Sequence, residues 1–125
     1  MKKNIKNGII RQGDVLLLPI DKIPKVTKKT ENVILAHGEI TGHRHEILEG
    51  AVGFVESENP VDSLTTADYI EVQKLISEVQ HGTAEEIRHG TSRTLDHSTI
   101  PVKKGKYEVV RQHEYTPAAI VRVAD

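Results

Sequence analysis

The chain contains no cysteine and no tryptophan, and its 125 residues include only one phenylalanine and three tyrosines. Without cysteine it has neither disulfides nor thiolate ligands, so any metal site must use histidine, aspartate or glutamate. With so few aromatic residues, the core has to be built from valine, isoleucine and leucine. Valine and isoleucine favour strands because they pack well on a pleated sheet. The composition therefore predicts a mainly β protein.

The sequence also lacks any apolar run that approaches the length of a membrane span. Its amino-terminal residues do not include the apolar stretch of a secretory signal peptide. We therefore expect a soluble cytoplasmic protein that does not bind a membrane. The length fits a single domain over residues 1–125.

The net charge of the chain is close to zero, at −1, but the charged residues are unevenly distributed along the sequence. Residues 1–30 carry eight Lys or Arg against two Asp, whereas residues 31–100 carry four Lys or Arg against thirteen acidic residues. Several of the lysines fall in a polar basic loop predicted at 21–31. Such a loop usually forms a solvated surface, and no aromatic side chains alternate with its lysines. Nucleic-acid binding is therefore the weakest of the functional predictions.

Short apolar segments separated by glycine predict an antiparallel meander of strands. Residues 15–20 are apolar on both faces, which is typical of a strand buried on both sides. Further strands are predicted at 32–37, 43–48, 51–56 and 107–115, the last after a turn at 103–106. These strands predict a small antiparallel β-sandwich or partly open barrel, with loops or insertions at 57–66 and 81–96.

The segment after residue 66 has two interpretations. Its apolar residues recur at near-helical spacing, which predicts one helix near 67–80 and makes an α+β fold the alternative to a purely β fold. The residues in this stripe are Tyr69, Ile70, Val72, Leu75, Ile76 and Val79. The competing prediction is a strand at 69–73, because the side chains there also alternate between apolar and polar.

The most informative motif is His43-Arg44-His45, which directly follows Gly42. Side chains alternate along a strand, so His43 and His45 would share one face. Two neutral imidazoles at this spacing are suitable ligands for a divalent transition metal. The opposing interpretation is a half-buried strand whose imidazoles hydrogen-bond to their neighbours.

Three more residues are candidates for the same site. His97 is predicted as a third ligand from a neighbouring strand, and His37 as a further ligand at the end of the preceding strand. Glu49 lies beyond the His-x-His strand and is a candidate fourth ligand or general base. Three imidazoles with an open coordination position would let a metal activate water. His81 and His89 are assigned to solvent, because both lie beside glycine in polar surroundings.

A second polar cluster runs over residues 111–114 within a strand that should be half buried. Arg111 and His113 would share one face of this strand. A guanidinium beside an imidazole suits an anionic group, so Arg111 is predicted to orient a small anionic ligand. Gln112 and Glu114 would share the other face, which suits hydrogen bonding.

The segment 38–49 resembles the first motif of the cupin family, in which a glycine precedes His-x-His and a glutamate follows three or four residues later. His43, His45 and Glu49 match the ligand positions of that motif, so the resemblance implies a cupin-like β fold that holds a metal. Most of the chain also looks like small uncharacterised bacterial and phage proteins, through residues 11–15, the His-x-His strand and residues 105–115. That second resemblance implies no activity.

Two functions stay open from the sequence. The first is a metal protein, possessing Zn, Mn, Fe or Ni, that assists hydrolysis or another step at a small anionic substrate. The second is a non-enzymatic binding module, such as a phage or prophage accessory protein, that binds a nucleotide, a peptide or a partner protein. Homo-oligomer formation is compatible with both, and the sequence does not decide whether the protein is an enzyme.

Overall fold

A computed structural model of the chain describes residues 8–38, 42–89 and 99–112. The strands are β1 (Ile10–Gln12), β2 (Val15–Ile20), β3 (Lys28–Lys29), β4 (Val33–His37), β5 (His43–Ile47), β6 (Ala51–Val55), β7 (Tyr69–Thr83) and β8 (Ile100–Arg111). Among the described residues, the short helix α1 spans Ala84–His89. The strands follow the order β1-β2-β8-β7-β5-β4, and β6 pairs with β7 and β3. This curled, open antiparallel sheet confirms the predicted mainly β, partly open fold.

The long strand β7 occupies the segment where one helix near 67–80 was predicted, so that helix prediction is wrong. The competing prediction of a strand at 69–73 is confirmed, and the strand continues to Thr83. The register between β7 and β8 shifts between Val72 and Ile76, which marks a bulge. The alternation of buried and exposed side chains restarts after the bulge. The apolar residues before and after it therefore recur at a spacing that resembles the spacing along one face of a helix.

Strand β7 positions its neighbours along both of its edges. One edge pairs with β8 over most of its length. The other edge pairs first with β6, through residues 69–72, and then with β5, through residues 80–83. Strands β5 and β6 therefore lie end to end beside β7, and the turn at Gly50 joins them. The carbonyl oxygen of Gly50 accepts hydrogen bonds from Gln73 N at 2.7 Å and Lys74 N at 3.1 Å.

Aliphatic side chains from several strands form the core. Its fully buried members include Leu17, Leu35, Ile47, Ile70, Val72, Val79 and Val102. Each buried side chain of this size contributes about 1.5–3 kcal/mol relative to leaving it in water. Among the described residues that form this core, Tyr107 is the aromatic one. The core therefore consists mainly of valine, isoleucine and leucine, as the scarcity of aromatic residues in the sequence predicted.

The three segments predicted as loops or insertions differ in structure. Residues 21–31 are mainly loop and include the two-residue strand β3. Residues 57–66 are loop, with an isolated bridge between Ile34 and Thr66. Residues 81–83 complete β7 and residues 84–89 form α1, while 90–96 lie outside the described residues. Strand β8 runs through 103–106, so the turn predicted there is wrong. No helix among the described residues has the length and apolar character needed to cross a membrane.

Candidate metal centre

Pairing of β5 with β7 brings three imidazoles onto one face of the sheet. His45 lies opposite His81, and His43 lies opposite Thr83. Residues directly opposite each other, and alternate residues along a strand, point to the same face. The ring centroids of His45 and His81 are 4.4 Å apart, and those of His43 and His81 are 5.7 Å apart. We call His43, His45 and His81 the histidine cluster.

The histidine cluster is largely shielded from solvent. His45 and His81 are buried, and His43 is half-buried. Buried polar atoms in proteins nearly always have a partner. The buried Nδ1 of His43 makes no hydrogen bond within the part of the chain that the structure describes. This nitrogen is therefore a buried polar atom that the described residues leave without a hydrogen bond.

Gln12, which the sequence analysis did not single out, orients the ring of His45. The side-chain nitrogen of Gln12 donates to the carbonyl oxygen of Val79 at 2.9 Å, and its Oε1 lies 2.7 Å from His45 Nδ1. A carbonyl oxygen only accepts, so the amide nitrogen of Gln12 must face Val79 and its oxygen must face His45. Neutral His45 therefore carries its proton on Nδ1 and a lone pair on Nε2. Metal-binding histidines are commonly oriented by a hydrogen bond of this kind.

Helix α1 adds a carboxylate beside the histidine cluster. Glu86 Oε1 accepts a hydrogen bond from Thr83 N at 2.9 Å, and Thr83 Oγ1 accepts one from Glu86 N at 3.1 Å. This reciprocal pair is a capping box. The Thr83 N–H is the main cause that lowers the pKa of Glu86. The Thr83 hydroxyl and the charges of His43 and His81 lower this pKa further, and burial opposes them.

The available donor atoms suit a borderline divalent metal. Three imidazoles and a carboxylate, without sulfur, are acceptable to Zn, Mn, Fe and Ni. Two imidazoles on one tetrahedral ion, at bonds of about 2.1 Å, would have ring centroids about 5.3 Å apart. The observed 4.4 Å and 5.7 Å lie on either side of that separation. In their present orientations, no three His, Asp or Glu side chains of the described residues are arranged to hold an ion. Binding therefore requires the rings to rotate.

His37, a predicted ligand, does not join the histidine cluster. The register between β4 and β5 shifts between Ile34 and Ala36, so His37 lies opposite Arg44 instead of opposite His43. A one-residue bulge moves the following side chains to the other face of a sheet. The Nε2 of His37 lies 2.9 Å from the carbonyl oxygen of Leu64. The prediction that His37 shares the site with His43 and His45 is therefore corrected.

The other predicted ligands are placed elsewhere or are not described. His97 lies outside the described residues, as do His113 and Glu114. Glu49 is exposed, and its Oε1 lies 2.9 Å from the ammonium nitrogen of Lys74. It lines a cavity of about 380 Å³ together with Leu48, Lys74, Ile76, Ser77, Glu78 and Gln80. The structure thus brings Glu49 to Lys74 and not to the histidine cluster.

The contact between Glu49 and Lys74 predicts a pH-dependent contribution to stability. The hydrogen bond from Lys74, followed by its charge, lowers the pKa of Glu49 below the ordinary value of 4.5. Such a carboxylate stabilises the fold above the unfolded pKa, and this stabilisation is lost as the pH falls through the folded pKa.

Replacing Glu49 with glutamine should therefore lower the melting temperature slightly at about pH 7 and not at about pH 3. Added salt should reduce the difference at neutral pH, because both side chains are exposed. Thermal unfolding of the two proteins at both pH values measures this effect. A difference that is equally large at the two pH values would show that the ion pair is not its cause.

Arg111, predicted to orient an anionic ligand, makes contacts within the fold. Its Nε donates to the carbonyl oxygen of Leu35 at 2.8 Å, and its Nη2 donates to that of Ala67 at 2.6 Å. Its Nη1 lies 3.5 Å from the carboxylate of Asp68. These contacts join β8 to β4 and to the segment that precedes β7. They give Arg111 a structural role, and its role toward a ligand stays a prediction.

The sequence analysis missed His81. His81 was assigned to solvent, but it is buried, so that assignment is wrong. A strand that continues to Thr83 places His81 on the same face as buried Val79, which the predicted helix concealed. His89 is exposed at the end of α1, as predicted.

The model of one protein family, a domain of unknown function designated DUF8820, matches residues 11–112. The chain belongs to this family, which confirms the expected membership of an uncharacterised family. The matched region includes Gln12, the histidine cluster and Glu86. No curated protein and no solved structure matches the chain.

Proposed function

We propose that this protein binds a divalent transition-metal ion at the histidine cluster, with His43, His45 and His81 as ligands. The observation that carries the proposal is the convergence of three imidazoles from β5 and β7 on one face, with ring centroids 4.4 Å and 5.7 Å apart. This ligand set retains the two histidines of the His-x-His motif. His81 takes the place of His37 and His97 in it.

Two features favour a ligand role over that of ordinary core histidines. An imidazole nitrogen that is buried without a hydrogen bond is unfavourable, and His43 Nδ1 is such an atom among the described residues. The hydrogen bond that His45 Nδ1–H donates to Gln12 Oε1 gives His45 the tautomer whose Nε2 can bind a metal. Histidines that only filled space in an aliphatic core would require neither a buried nitrogen without a hydrogen bond nor a fixed tautomer.

The surroundings of the histidine cluster suit an ion that takes part in chemistry. Three protein ligands leave one position of a tetrahedral ion open, and there the ion would supply Lewis-acid chemistry toward water or a substrate oxygen. Gln12 would hold the ring of His45, and half-buried His43 would lie on the side open to solvent. Hydrolysis of a small anionic substrate in the cytoplasm is the activity that we propose for such a site.

Metal titration of the untagged, chelator-treated protein tests the proposal. We expect calorimetry to show about one equivalent of bound Zn²⁺ or Ni²⁺. His45→Ala and His81→Ala should each weaken the affinity at least about tenfold, which is about 1.4 kcal/mol, because each removes one of three ligands. Saturating metal should also raise the melting temperature of the wild-type protein, since the ion binds the folded state preferentially.

His37 and His89 provide matched controls in the same protein. His37 lies on the opposite face of the sheet, and His89 is exposed on α1. His37→Ala and His89→Ala should bind the metal with an affinity within about twofold of wild type. This corresponds to a difference in binding free energy of less than about 0.5 kcal/mol. Wild-type protein that binds no metal would overturn the proposal. Equal losses in all four variants would show that the metal binds histidines without regard to this site.

A further inference from the structure

A buried ion pair lies on the face of β5 that points away from the histidine cluster. Arg44 and Glu46 alternate with the two histidines of the His-x-His motif, so their side chains point to the other face of the sheet. These two side chains are only 11% and 6% exposed, and Arg44 Nε lies 3.0 Å from Glu46 Oε1. A buried ion pair rarely stabilises a fold more than apolar side chains of similar size would, so stability alone does not explain this pair.

The guanidinium of Arg44 is incompletely satisfied within the fold. Guanidinium groups carry N–H donors on all three of their nitrogens, in one plane. Although Arg44 Nε is close to Glu46, it has no well-aligned hydrogen bond among the described residues. The ion pair with Glu46 is the one polar contact of Arg44 in the described part of the chain, so Nη1 and Nη2 have no acceptor there. Shielding such donors from water without giving them acceptors is costly.

The neighbours of Arg44 leave its terminal nitrogens accessible. The residue opposite Arg44 on β7 is Gly82, so no side chain of β7 lies beside the guanidinium at this position. The residue opposite on β4 is His37, whose Nε2 donates to the carbonyl oxygen of Leu64 at 2.9 Å. Among the described residues, the fully buried side-chain atoms without a hydrogen bond include Arg44 Nε and neither of its terminal nitrogens. Nη1 and Nη2 therefore reach the surface, where a ligand can meet them.

We infer that Arg44 binds a small oxyanion, a carboxylate or a phosphate group, through Nη1 and Nη2 on this face of the sheet. A planar guanidinium can donate two parallel hydrogen bonds to such a group. Glu46 occupies the Nε side and thereby orients the guanidinium, which leaves the terminal nitrogens for the ligand. The role that the sequence analysis predicted for Arg111, holding a small anionic ligand, thus passes to Arg44. The site lies on the other face of the sheet from the histidine cluster, so it needs no metal there.

The partial burial of Arg44 distinguishes it from an ordinary surface arginine. Hydrogen bonds are electrostatically stronger where water is largely excluded, and those that involve a charged donor are the strongest. An anion at Arg44 would also provide the acceptors that its terminal nitrogens lack among the described residues. Arg88 is exposed on α1 and has no such surroundings, so it serves as the matched control.

Titration of the metal-free, complete chain with sodium phosphate and with sodium acetate tests the inference, followed by NMR at constant ionic strength. Three variants are compared with the wild type. Arg44→Lys keeps the charge and loses the planar donors. Arg44→Met combined with Glu46→Met removes the site without leaving an unpaired buried charge. Arg88→Met removes an exposed arginine, so it shows the effect of lost charge alone.

We expect at least one of the two anions to shift the Nε–H resonance of Arg44 saturably at millimolar concentrations, and the anion that binds more tightly identifies the ligand class. Arg88→Met should bind it within about twofold of wild type. Arg44→Lys should bind at least about tenfold more weakly, and the double variant should show no saturable binding.

Two results would overturn the inference. In the first, neither anion binds the wild type saturably, which would mean that only water meets Nη1 and Nη2. In the second, the double variant binds with wild-type affinity, so the anion binds elsewhere. If the double variant does not fold, Arg44→Lys decides, and equal affinity of Arg44→Lys and Arg88→Met would count as the second result. Because the protein is free of metal, none of these outcomes depends on the histidine cluster.

Discussion

Replacing Arg111 with methionine is expected to lower the free energy of unfolding by about 3 kcal/mol. The guanidinium donates to two backbone carbonyl oxygens, those of Leu35 and Ala67, at 2.8 Å and 2.6 Å. A hydrogen bond from a charged donor contributes about 1.5–3 kcal/mol, and the substitution removes two. Methionine retains much of the apolar stem, so packing loss adds little. Urea denaturation of both proteins measures the difference.

Two further variants separate the guanidinium contacts from a general effect of lost charge. Arg88 is exposed on α1, so Arg88→Met should change stability by less than about 0.5 kcal/mol. Arg111→Lys should fall between wild type and Arg111→Met, because an ammonium group does not reproduce the planar arrangement of donors. If Arg111→Met and Arg88→Met had the same stability, the contacts with Leu35 and Ala67 would not be holding β8 and β4 together.

Local patterns in the sequence predicted much of the sheet. The strands predicted at 32–37, 43–48 and 51–56 correspond to β4, β5 and β6 within about one residue at each end, because a glycine lies directly beside one end of each. The placement of His43 and His45 on one face followed from alternation within a single strand. Both predictions depend only on residues that are close in the sequence.

The errors arise where a bulge interrupts a strand. In β4, the shift between Ile34 and Ala36 moved His37 to the face opposite His43. In β7, the shift between Val72 and Ile76 left Leu75 exposed although it belonged to the predicted helical stripe. A bulge is decided by pairing with the neighbouring strand, so alternation along one segment does not reveal it.

The remaining members of the candidate site depend on contacts between distant residues. His81 reaches His45 because β7 extends to Thr83 in a particular register with β5. Gln12 reaches His45 from β1, which is 33 positions earlier in the sequence. Register between strands that are far apart in the chain is a property of the whole sheet. The sequence therefore indicated the two adjacent ligands and not the partners that complete and orient them.

Replacing Gly50 with alanine is expected to destabilise the fold by about 3 kcal/mol, as the sum of backbone strain and overpacking. Gly50 has a φ of 86°, where a side chain costs about 1–2 kcal/mol. An added Cβ would also meet the side-chain oxygen of Ser77 and lie 2.8 Å from Lys74 Cβ. Overpacking of this kind costs typically about 1–3 kcal/mol.

Gly42 serves to separate these two causes. Like Gly50 it has a positive φ, but an added Cβ at Gly42 would not meet neighbouring atoms. Its φ is 85°, and a Cβ there would have no atom of the described residues within 4 Å. Gly42→Ala should therefore lose only the backbone contribution, about 1 kcal/mol. Denaturant unfolding of both variants should show a difference of about 2 kcal/mol, which measures how closely β7 packs against the turn between β5 and β6. Equal losses would mean that β7 moves away at little cost, and the register that places His81 beside His45 would then be loosely held.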